Sequence, residues 1–202
     1  RLLLGLGADW RALAHHASEM GLALGVEYAR HRERVEAAFA ALRETADALV
    51  AARGDRPGED FVSDLLAREA EGAMTTEEVR DMIVLAIFGG VDTTTAQLGL
   101  AVATLMERPA DWRRLAAEPG LVPAAVEEVM RLRPTTTWVT REAVEDLEIG
   151  GVRIPAGTTL HLLTESAGTD PAAYPEAGFS LEERRRAHFG FGGGRHHCLG
   201  SH

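Results

Sequence analysis

A helical pattern that runs unbroken over residues 75–107 limits the folds open to this 202-residue chain more than any other feature. Thr75 and Glu78 have the spacing of a capping box, and Pro109 ends the run because the residue before a proline avoids helical dihedrals. At about 1.5 Å per residue the helix is roughly 50 Å long, enough to cross a whole domain. Its middle, 83–88, is apolar on every side, which predicts a central helix that is buried all round.

Weaker patterns on either side of this run predict a mainly α chain. Further helices are expected where apolar residues recur at helical spacing or follow a proline: 9–24, 35–54, 60–68, 110–118 and 124–133. Short strands are expected after Pro134: 137–141, a hairpin over 147–154 around Gly150 and Gly151, and 158–163. We therefore predict a helical body that carries a small β-sheet, with an irregular segment after it.

Composition bounds the partners and the compartment. The hydrophobic content of 46% is enough for a core, and the net charge of -10 argues against a nucleic-acid partner, whose phosphates need cations. We see no apolar run of membrane-span length and no secretory signal, and a single cysteine excludes a disulfide framework. These features predict a soluble cytoplasmic protein without a membrane partner. The chain begins at Arg1 and stops four residues beyond Cys198, so we expect that it is cut at both ends.

That cysteine lies in a glycine-rich run, Phe191–Gly200, which reads FGGGRHHCLG. Glycines let the backbone fold tightly, so that amide N–H groups can point at the Cys198 sulfur. A thiolate held in this way is a metal ligand that suits iron in haem. Arg195 and His196 add positive charge, which suits the haem carboxylates and favours the thiolate.

Two other interpretations of this run remain open. One is an inert, buried cysteine in an ordinary loop, which is the usual state of a lone intracellular cysteine. The other is a zinc cluster made of His196, His197, Cys198 and His202. Adjacent ligands fit tetrahedral zinc poorly, because its ligands are normally two to four residues apart.

The run resembles the haem-binding loop of cytochrome P-450 monooxygenases, F-x-x-G-x-[HR]-x-C-x-G, which is a long and specific motif. The matching positions are Phe191, Gly194, His196, Cys198 and Gly200. The resemblance implies haem b with Cys198 as the proximal iron ligand, in a partial cytochrome P-450 fold of which this chain covers the C-terminal half. It also implies a set of residues that contact the cofactor: Gly89, Gly90, Arg141, Phe191, Gly192, Arg195, His196 and Gly200.

A second motif interrupts the central helix with poor helix formers, Gly89–Thr95. Taken alone, these residues predict a loosened or kinked helix, or a solvated turn. They also resemble the oxygen-binding segment of the P-450 central helix, [AG]-G-x-[DE]-T-T. The resemblance implies that the two glycines leave room above the haem, that Asp92 relays protons and that Thr93 hydrogen-bonds the bound oxygen. Both protons needed to split O–O must reach a site that stays mostly apolar.

A third motif lies in the predicted helix that follows Pro123. Glu127 and Arg131 could form an ordinary exposed pair at i, i+4. Alternatively, Glu128 and Arg131 match the family's E-x-x-R, which implies a buried pair that supports the haem loop. In W-V-T-R-E-A, Arg141 resembles the arginine that pairs with a haem propionate, and Thr135–Val139 would line the substrate pocket.

The chain departs from the family pattern before the cysteine loop. It has Ala167–Pro171 as AGTDP where ANRDP is common, and Glu183 stands where an arginine is usual. Arg184, one residue along, is then the candidate to complete the network of the E-x-x-R pair. The run Arg184–Arg186, together with Arg195, could also steer an acidic electron donor.

By this resemblance the chain is organised into five segments: lid and cover helices (1–70), the oxygen-binding helix (75–107), the E-x-x-R helix (121–133), the small β-sheet (135–165), and the meander with the haem loop (166–202). The implied activity is the insertion of one oxygen atom from O₂ into an apolar small molecule, by hydroxylation or epoxidation. Electrons would come from a ferredoxin or a flavin reductase. The alternatives are a non-catalytic fragment unable to hold haem, a relative that uses peroxide or rearranges its substrate, and, more distantly, a zinc-binding module.

Overall fold

The protein is described by a computed structural model over residues 4, 10–25, 27–54, 56–175, 178–182 and 188–201. It divides into two compact units, Arg1–Thr94 and Thr95–His202. The helices are α1 (Trp10–Gly21), α2 (Tyr28–Gly54), α3 (Phe61–Ala70), α4 (Thr76–Met106), α5 (Pro109–Ala117), α6 (Val122–Leu132) and α7 (Thr164–Gly168). The strands are β1 (Trp138–Glu142), β2 (Leu147–Ile149), β3 (Val152–Ile154) and β4 (Thr159–Leu163). The mainly helical class predicted from the sequence is confirmed.

The first unit is built around the apolar faces of α2, α3 and α4. Its buried side chains recur at helical spacing along each of these helices: Leu42, Ala46, Leu49, Val62, Leu65, Val79, Ile83, Val84 and Ile87. Ion pairs between α2 and α4 lie beside this core. Arg43 of α2 donates to Glu77 at 2.9 Å and to Asp81 at 2.8 Å, both in α4. The apolar stripes therefore place the three helices, and exposed charges line their contact.

The central helix α4 begins with the predicted capping box. The Glu78 N–H donates to the Thr75 hydroxyl at 3.2 Å, and the Thr75 N–H donates to the Glu78 carboxylate at 2.7 Å. These bonds lower the pKa of Glu78 below its ordinary value, the backbone N–H of Thr75 contributing most. The helix then continues through Gly89–Thr95 without a turn, so the solvated turn is not formed there.

The expectation that α4 is buried all round is wrong. Ile83 and Ile87 are buried, but Leu85 between them is 50% exposed and Met106 is 73% exposed. In the first unit, the buried side chains of α4 are those that pack with α2 and α3, and an apolar composition on every side does not by itself bring a second cover. In length and composition α4 also reaches what a membrane crossing needs, contrary to the expectation from the sequence; core helices of soluble proteins meet the same criterion.

The second unit contains α5, α6, α7 and the strands. Strand β1 pairs antiparallel with β4, with Trp138 opposite Leu163 and Arg141 opposite Leu160. Strands β2 and β3 form a separate hairpin that turns at Gly150 and Gly151, whose φ values of +58° and +79° suit glycine. The strands thus make two two-stranded sheets rather than the single small sheet that we predicted.

The hairpin is separate because its base is closed by its own residues. The Asp146 carboxylate accepts the Ala156 N–H at 2.9 Å and an Arg153 N–H at 2.7 Å. These two bonds, the backbone one first, lower the pKa of Asp146. The Asp146 carboxylate thus closes the base of the hairpin.

Candidate functional site

The Cys198 loop lies at the end of the second unit and is shaped by two left-handed glycines. Gly192 and Gly194 have φ values of +71° and +68°, which side chains with a Cβ rarely adopt. The Cys198 N–H donates to the Phe191 carbonyl at 2.9 Å and closes the loop across these glycines. The Cys198 thiol itself is exposed, so the inert, buried cysteine is not what the chain forms.

Among the described residues, no amide N–H forms a hydrogen bond to the Cys198 sulfur. Two amides of the loop bond inside it instead: the His197 N–H bonds the Gly194 carbonyl at 3.1 Å, and the Ser201 N–H bonds the Cys198 carbonyl at 3.3 Å. Two 3₁₀ turns, Gly194–His196 and Leu199–Ser201, follow from these bonds. The loop therefore fixes the backbone around Cys198 and leaves the sulfur open.

The cationic side chains that the sequence assigned to the cofactor are also exposed. Arg195 and His196 lie in the first 3₁₀ turn of the loop, and Arg141 lies in β1. Arg141 donates one N–H to the Thr140 carbonyl at 2.8 Å; its other N–H groups have no partner in the described part of the chain. These cations can therefore still bind an anionic group.

The start of the loop packs against α6. A Cβ on Gly190 would lie 3.0 Å from the Met130 methyl carbon and 3.1 Å from the Met130 carbonyl oxygen, so the backbone approaches the helix closely there. The Gly190 N–H donates to Nδ1 of His188 at 3.0 Å, which places the ring proton on Nε2. That Nε2 lies 3.2 Å from Glu127 Oε2, at ion-pair distance but without hydrogen-bond alignment.

The E-x-x-R residues form the pair at i, i+3. Arg131 Nε and Nη2 donate to the two oxygens of Glu128, both at 2.9 Å. The side chains are 0% and 2% exposed, so the pair is buried and the exposed Glu127–Arg131 alternative is not the one formed. Bidentate charge-assisted bonds are the strong kind, and burial makes them costly to break.

Groups from the last residue of α7 and from the segment after it complete the surroundings of this pair. Arg131 donates to the Gly168 carbonyl at 2.6 Å and to the Gly178 carbonyl at 3.0 Å. The Ser180 N–H donates to Glu128 at 3.1 Å, and the Tyr174 ring lies 4.9 Å from the guanidinium carbon. We define these six residues, Glu128, Arg131, Gly168, Tyr174, Gly178 and Ser180, as the Arg131 cluster. It joins α6 to the irregular segment that leads into the cysteine loop.

Part of the predicted network falls outside the described residues. Glu183, Arg184 and the basic run over 184–186 are among them, so their expected roles stay predictions. His202 of the alternative zinc set also lies outside. Within the ranges that the structure covers, no three His, Cys, Asp or Glu side chains come together as a metal site would require.

The oxygen-binding motif lies in the first unit, within α4. The Thr93 hydroxyl donates to the Gly89 carbonyl at 2.8 Å, the back-bonding that a helical threonine favours. A Cβ on Gly89 or Gly90 would meet nothing within 4 Å, so both glycines face open space. Asp92 is half-buried beside them.

Strand β1 places on opposite faces two residues, Trp138 and Val139, that the resemblance assigned to one substrate pocket. Alternation along the strand puts Val139 and Arg141 on one face and Trp138 on the other. Trp138 contacts the His161 ring edge-on at 4.8 Å. It also lines an open cleft of about 460 Å³ with Thr137, Leu163, Glu165, Ser166 and Thr169. Trp138 therefore faces away from the side of the strand that carries Arg141.

Two residues near the site were missed by sequence reasoning. Gln97 donates to the Arg133 carbonyl at 3.1 Å and accepts the Thr135 N–H at 2.8 Å, so its amide bridges both sides of Pro134. Gly168 lies so close to α6 that a Cβ would be 2.2 Å from the Arg131 carbonyl oxygen. The signals were a lone amide in an apolar helix and a glycine in place of the usual asparagine.

The chemistry of this donor set fits a haem held by a thiolate. Cys198 offers a soft, exposed ligand, while Arg141 and Arg195 offer cations and His196 offers a ring N–H for two carboxylates. The loop that carries the sulfur is closed by its own hydrogen bonds, so ligand binding does not require the loop to be refolded.

Known proteins are similar to this chain in sequence and in fold. The profile of the family described as Cytochrome P450 matches residues 25–202. Luteothin monooxygenase of Streptomyces thioluteus is 38% identical over 161 residues, which are 77% of this chain and 40% of that protein. Mycinamicin IV hydroxylase/epoxidase of Micromonospora griseorubida is 36% identical over 174 residues, 84% of this chain and 43% of that protein.

Solved structures give the same result. The crystal structure of CalO2 aligns with a TM-score of 0.90 at 32% identity, and the alignment covers 98% of this chain and 51% of that one. The chain therefore spans less than half the length of the two curated relatives and about half of this structural neighbour.

Proposed function

Because the chain belongs to the cytochrome P450 family, we propose that it acts as a haem-thiolate monooxygenase. The proposed reaction takes O₂, two electrons and two protons, transfers one oxygen atom to an apolar organic molecule and releases the other as water. Relatives named monooxygenase and hydroxylase/epoxidase support this class of reaction. Hydroxylation and epoxidation are the outcomes that we propose.

The cofactor would be haem b, held by residues of the second unit. Cys198 would ligate the iron, and Arg141, Arg195 and His196 would pair with the propionates. When bound through a cysteinate, haem supplies an electron-rich iron that favours O–O cleavage. Phe191, Gly192 and Gly200 would shape the loop against the macrocycle. Glu128 and Arg131 would act from behind, since their cluster and Gly190 join the loop to α6.

Proton delivery would fall to the α4 motif. Gly89 and Gly90 leave open space beside the helix, and Asp92 is a half-buried carboxylate that can exchange protons with solvent. The Thr93 hydroxyl donates a hydrogen bond to the Gly89 carbonyl, so its oxygen can only accept a hydrogen bond from another group. It must release the Gly89 carbonyl before it can donate to a substrate-side oxygen. This switch would let Thr93 hold a proton in place without admitting bulk water.

The substrate and the electron donor are proposed by class only. Apolar side chains near the motif, Phe88 and Val91, and Val139 on the Arg141 face of β1 favour an apolar small molecule. A ferredoxin or a flavin reductase would supply the electrons, and Arg195 is the described residue available to steer an acidic donor. A reducing cytoplasmic compartment suits a chain whose one cysteine must stay a thiolate.

The observation that carries this proposal is the Cys198 loop. An exposed thiol on a loop closed by the Cys198–Phe191 bond, in a chain that matches the family over 25–202, is the ligand that the activity requires. A chain unable to hold haem is not favoured by these observations. Asp92 and Thr93 favour oxygen activation over direct use of peroxide, because peroxide already carries the protons that they would deliver.

The spectrum of the reduced holoprotein under carbon monoxide tests the ligand. We expect a strongly red-shifted Soret band that is lost in Cys198→Ala and kept in His197→Ala. His197 is the matched control because it is exposed, lies beside the cysteine and belongs only to the zinc alternative. A red-shifted band that survives Cys198→Ala would overturn the assignment.

The yields of product and of hydrogen peroxide per O₂ consumed test the α4 motif. Thr93→Ala should keep haem content and substrate binding while it diverts a large share of the consumed O₂ to hydrogen peroxide. Thr95→Ala, on an exposed position of the same helix, should leave the product yield per O₂ unchanged. Equal yields in the two variants would show that Thr93 has no special part.

A further inference from the structure

The last residue of α1 lies against the Asp92 carboxylate. A Cβ built on Gly21 would be 2.8 Å from Asp92 Oδ2, 3.2 Å from Cγ and 3.4 Å from Oδ1. Carbon atoms of side chains do not approach oxygen that closely without a shift, because van der Waals repulsion rises steeply there. The carboxylate thus occupies the space that a side chain at position 21 would need.

Nothing else in the described part of the chain fixes this carboxylate. Asp92 makes no hydrogen bond and no ion pair with any described residue, although its neighbour Thr93 is bonded to Gly89. It is half-buried, so solvent reaches it from one side only. Its position is therefore set by packing, and the packing partner is the glycine at the end of α1.

Resting on the proposed proton relay through Asp92, we propose that Gly21 is a positioning residue for that relay. The missing side chain lets the carboxylate sit against α1, and any side chain at position 21 displaces it. Misplacement of a catalytic group by about 1 Å can cost on the order of a hundredfold in rate. The end of α1, which the resemblance assigns to the substrate lid, would then control how Asp92 reaches the reaction.

The backbone of Gly21 does not itself require glycine. Its φ of -55° and ψ of -28° are helical, so alanine fits there and would by helix propensity be favourable. Gly25 offers a matched control: it lies four residues on, in extended conformation, and a Cβ there would touch only the Leu22 carbonyl at 3.4 Å. A difference between the two alanine variants thus reports on the Asp92 contact.

The test compares Gly21→Ala, Gly25→Ala, Asp92→Asn and the double variant Gly21→Ala/Asp92→Asn in the haem-loaded holoenzyme. The readouts are kcat, substrate affinity, the fraction of O₂ released as hydrogen peroxide, and the D₂O isotope effect on kcat. For Gly21→Ala we expect kcat to fall about tenfold with a changed isotope effect and more peroxide, at unchanged substrate affinity. Gly25→Ala should match the unmodified enzyme.

The double variant separates the two hypotheses. If Gly21 acts through Asp92, Gly21→Ala adds no further loss in the Asp92→Asn background. An Asp92→Asn enzyme with ordinary kcat and peroxide release would remove the proton relay itself. An impaired Asp92→Asn enzyme beside an ordinary Gly21→Ala enzyme, or additive losses in the double variant, would overturn the positioning role alone.

Holoprotein yield and melting temperature give a readout that does not depend on turnover. Should Gly21→Ala lower either one, Gly21→Ala/Asp92→Ala should restore it, because removal of the carboxylate frees the space for the new methyl group. Failure of Asp92→Ala to restore the yield would show that the alanine clashes elsewhere, which contradicts the proposed contact.

Discussion

The Arg131 cluster and the Cys198 loop lie in the same unit and both join α6, yet they treat their polar groups in opposite ways. In the cluster, the charged side chains are 0% and 2% exposed and the chain itself supplies a bidentate carboxylate, two carbonyls and a ring. In the loop, the backbone is bonded but Cys198, Arg195 and His196 are exposed.

The difference separates support from ligation. A buried ion pair must be fully satisfied, because an unpaired charge in a low-dielectric interior is expensive. A ligand for an external group must instead stay accessible until that group binds. The chain meets both demands by fixing the loop backbone through hydrogen bonds and α6 contacts while it leaves the loop side chains unburied. Four substitutions would break or sharpen this contrast.

Glu128→Ala should have the largest effect, because it leaves the buried Arg131 guanidinium without its carboxylate. We expect a loss of about 3 to 5 kcal/mol in the free energy of unfolding, and no haem loading. Denaturant unfolding and the haem content of purified protein measure the two effects. Glu127→Ala, whose side chain is 62% exposed, is the control and should change little. Equal unfolding midpoints for the two variants would mean that burial of the pair does not matter.

Gly168→Ala should come next. Its Cβ would lie 2.2 Å from the Arg131 carbonyl oxygen, so the end of α7 must move away from α6. Overpacking of this kind costs about 1 to 3 kcal/mol. Thermal unfolding measures this loss, and Gly178→Ala is the control. Its carbonyl also binds Arg131 but its Cβ would meet open space, so this variant should be close to neutral. A neutral Gly168→Ala would contradict the close approach.

The Arg133–Glu107 pair offers the same bidentate chemistry at the surface, with N–O distances of 3.1 and 2.7 Å. Hydrogen bonding to Arg133 lowers the pKa of Glu107 below 4.5. Such a carboxylate stabilises the fold above its unfolded pKa, and the contribution is lost as pH falls through the lower folded pKa. We expect a small difference in melting temperature between the unmodified chain and Glu107→Gln at neutral pH, which disappears in acid and shrinks in high salt. A difference that persists in acid would argue for another cause.

Cys198→Ser should have the smallest effect on folding. The thiol is exposed and its backbone bond to Phe191 is kept, so the melting temperature of haem-free protein should not change measurably. The red-shifted band of the reduced carbon monoxide complex should nevertheless disappear. A marked loss of haem-free stability would show that the sulfur is structural, and the contrast with the Arg131 cluster would fail.

The sequence predicted what is decided locally. The capping box at Thr75, the proline that begins α5 and the glycine pair of the hairpin act within one turn of chain, so their elements appear within a few residues of the predicted bounds. The pairing of Glu128 with Arg131 was predicted by the resemblance to the family's E-x-x-R, because the spacing alone left the Glu127–Arg131 pair open. These features need no knowledge of what lies across the fold.

Features that depend on contacts between residues far apart in the sequence were not predictable. The exposed face of α4 at Leu85 follows from which helices cover it, and periodicity cannot report that. The Gln97 amide is specific because it meets Arg133 and Thr135, 36 and 38 residues away. The amides of the Cys198 loop were expected at the sulfur, but those of His197 and Ser201 bond to carbonyl groups within the 3₁₀ turns. Competition between partners, rather than composition, decided each of these outcomes.

Exposure of Cys198 has an analytical consequence, because these 202 residues contain no second sulfhydryl. A maleimide or iodoacetamide can add to this chain only once, and intact mass spectrometry would count the adducts without any need to map them. Iron at the sulfur would block the alkylation. The fraction of chains that stay unalkylated would therefore report the fraction that holds the cofactor, without use of the haem absorbance.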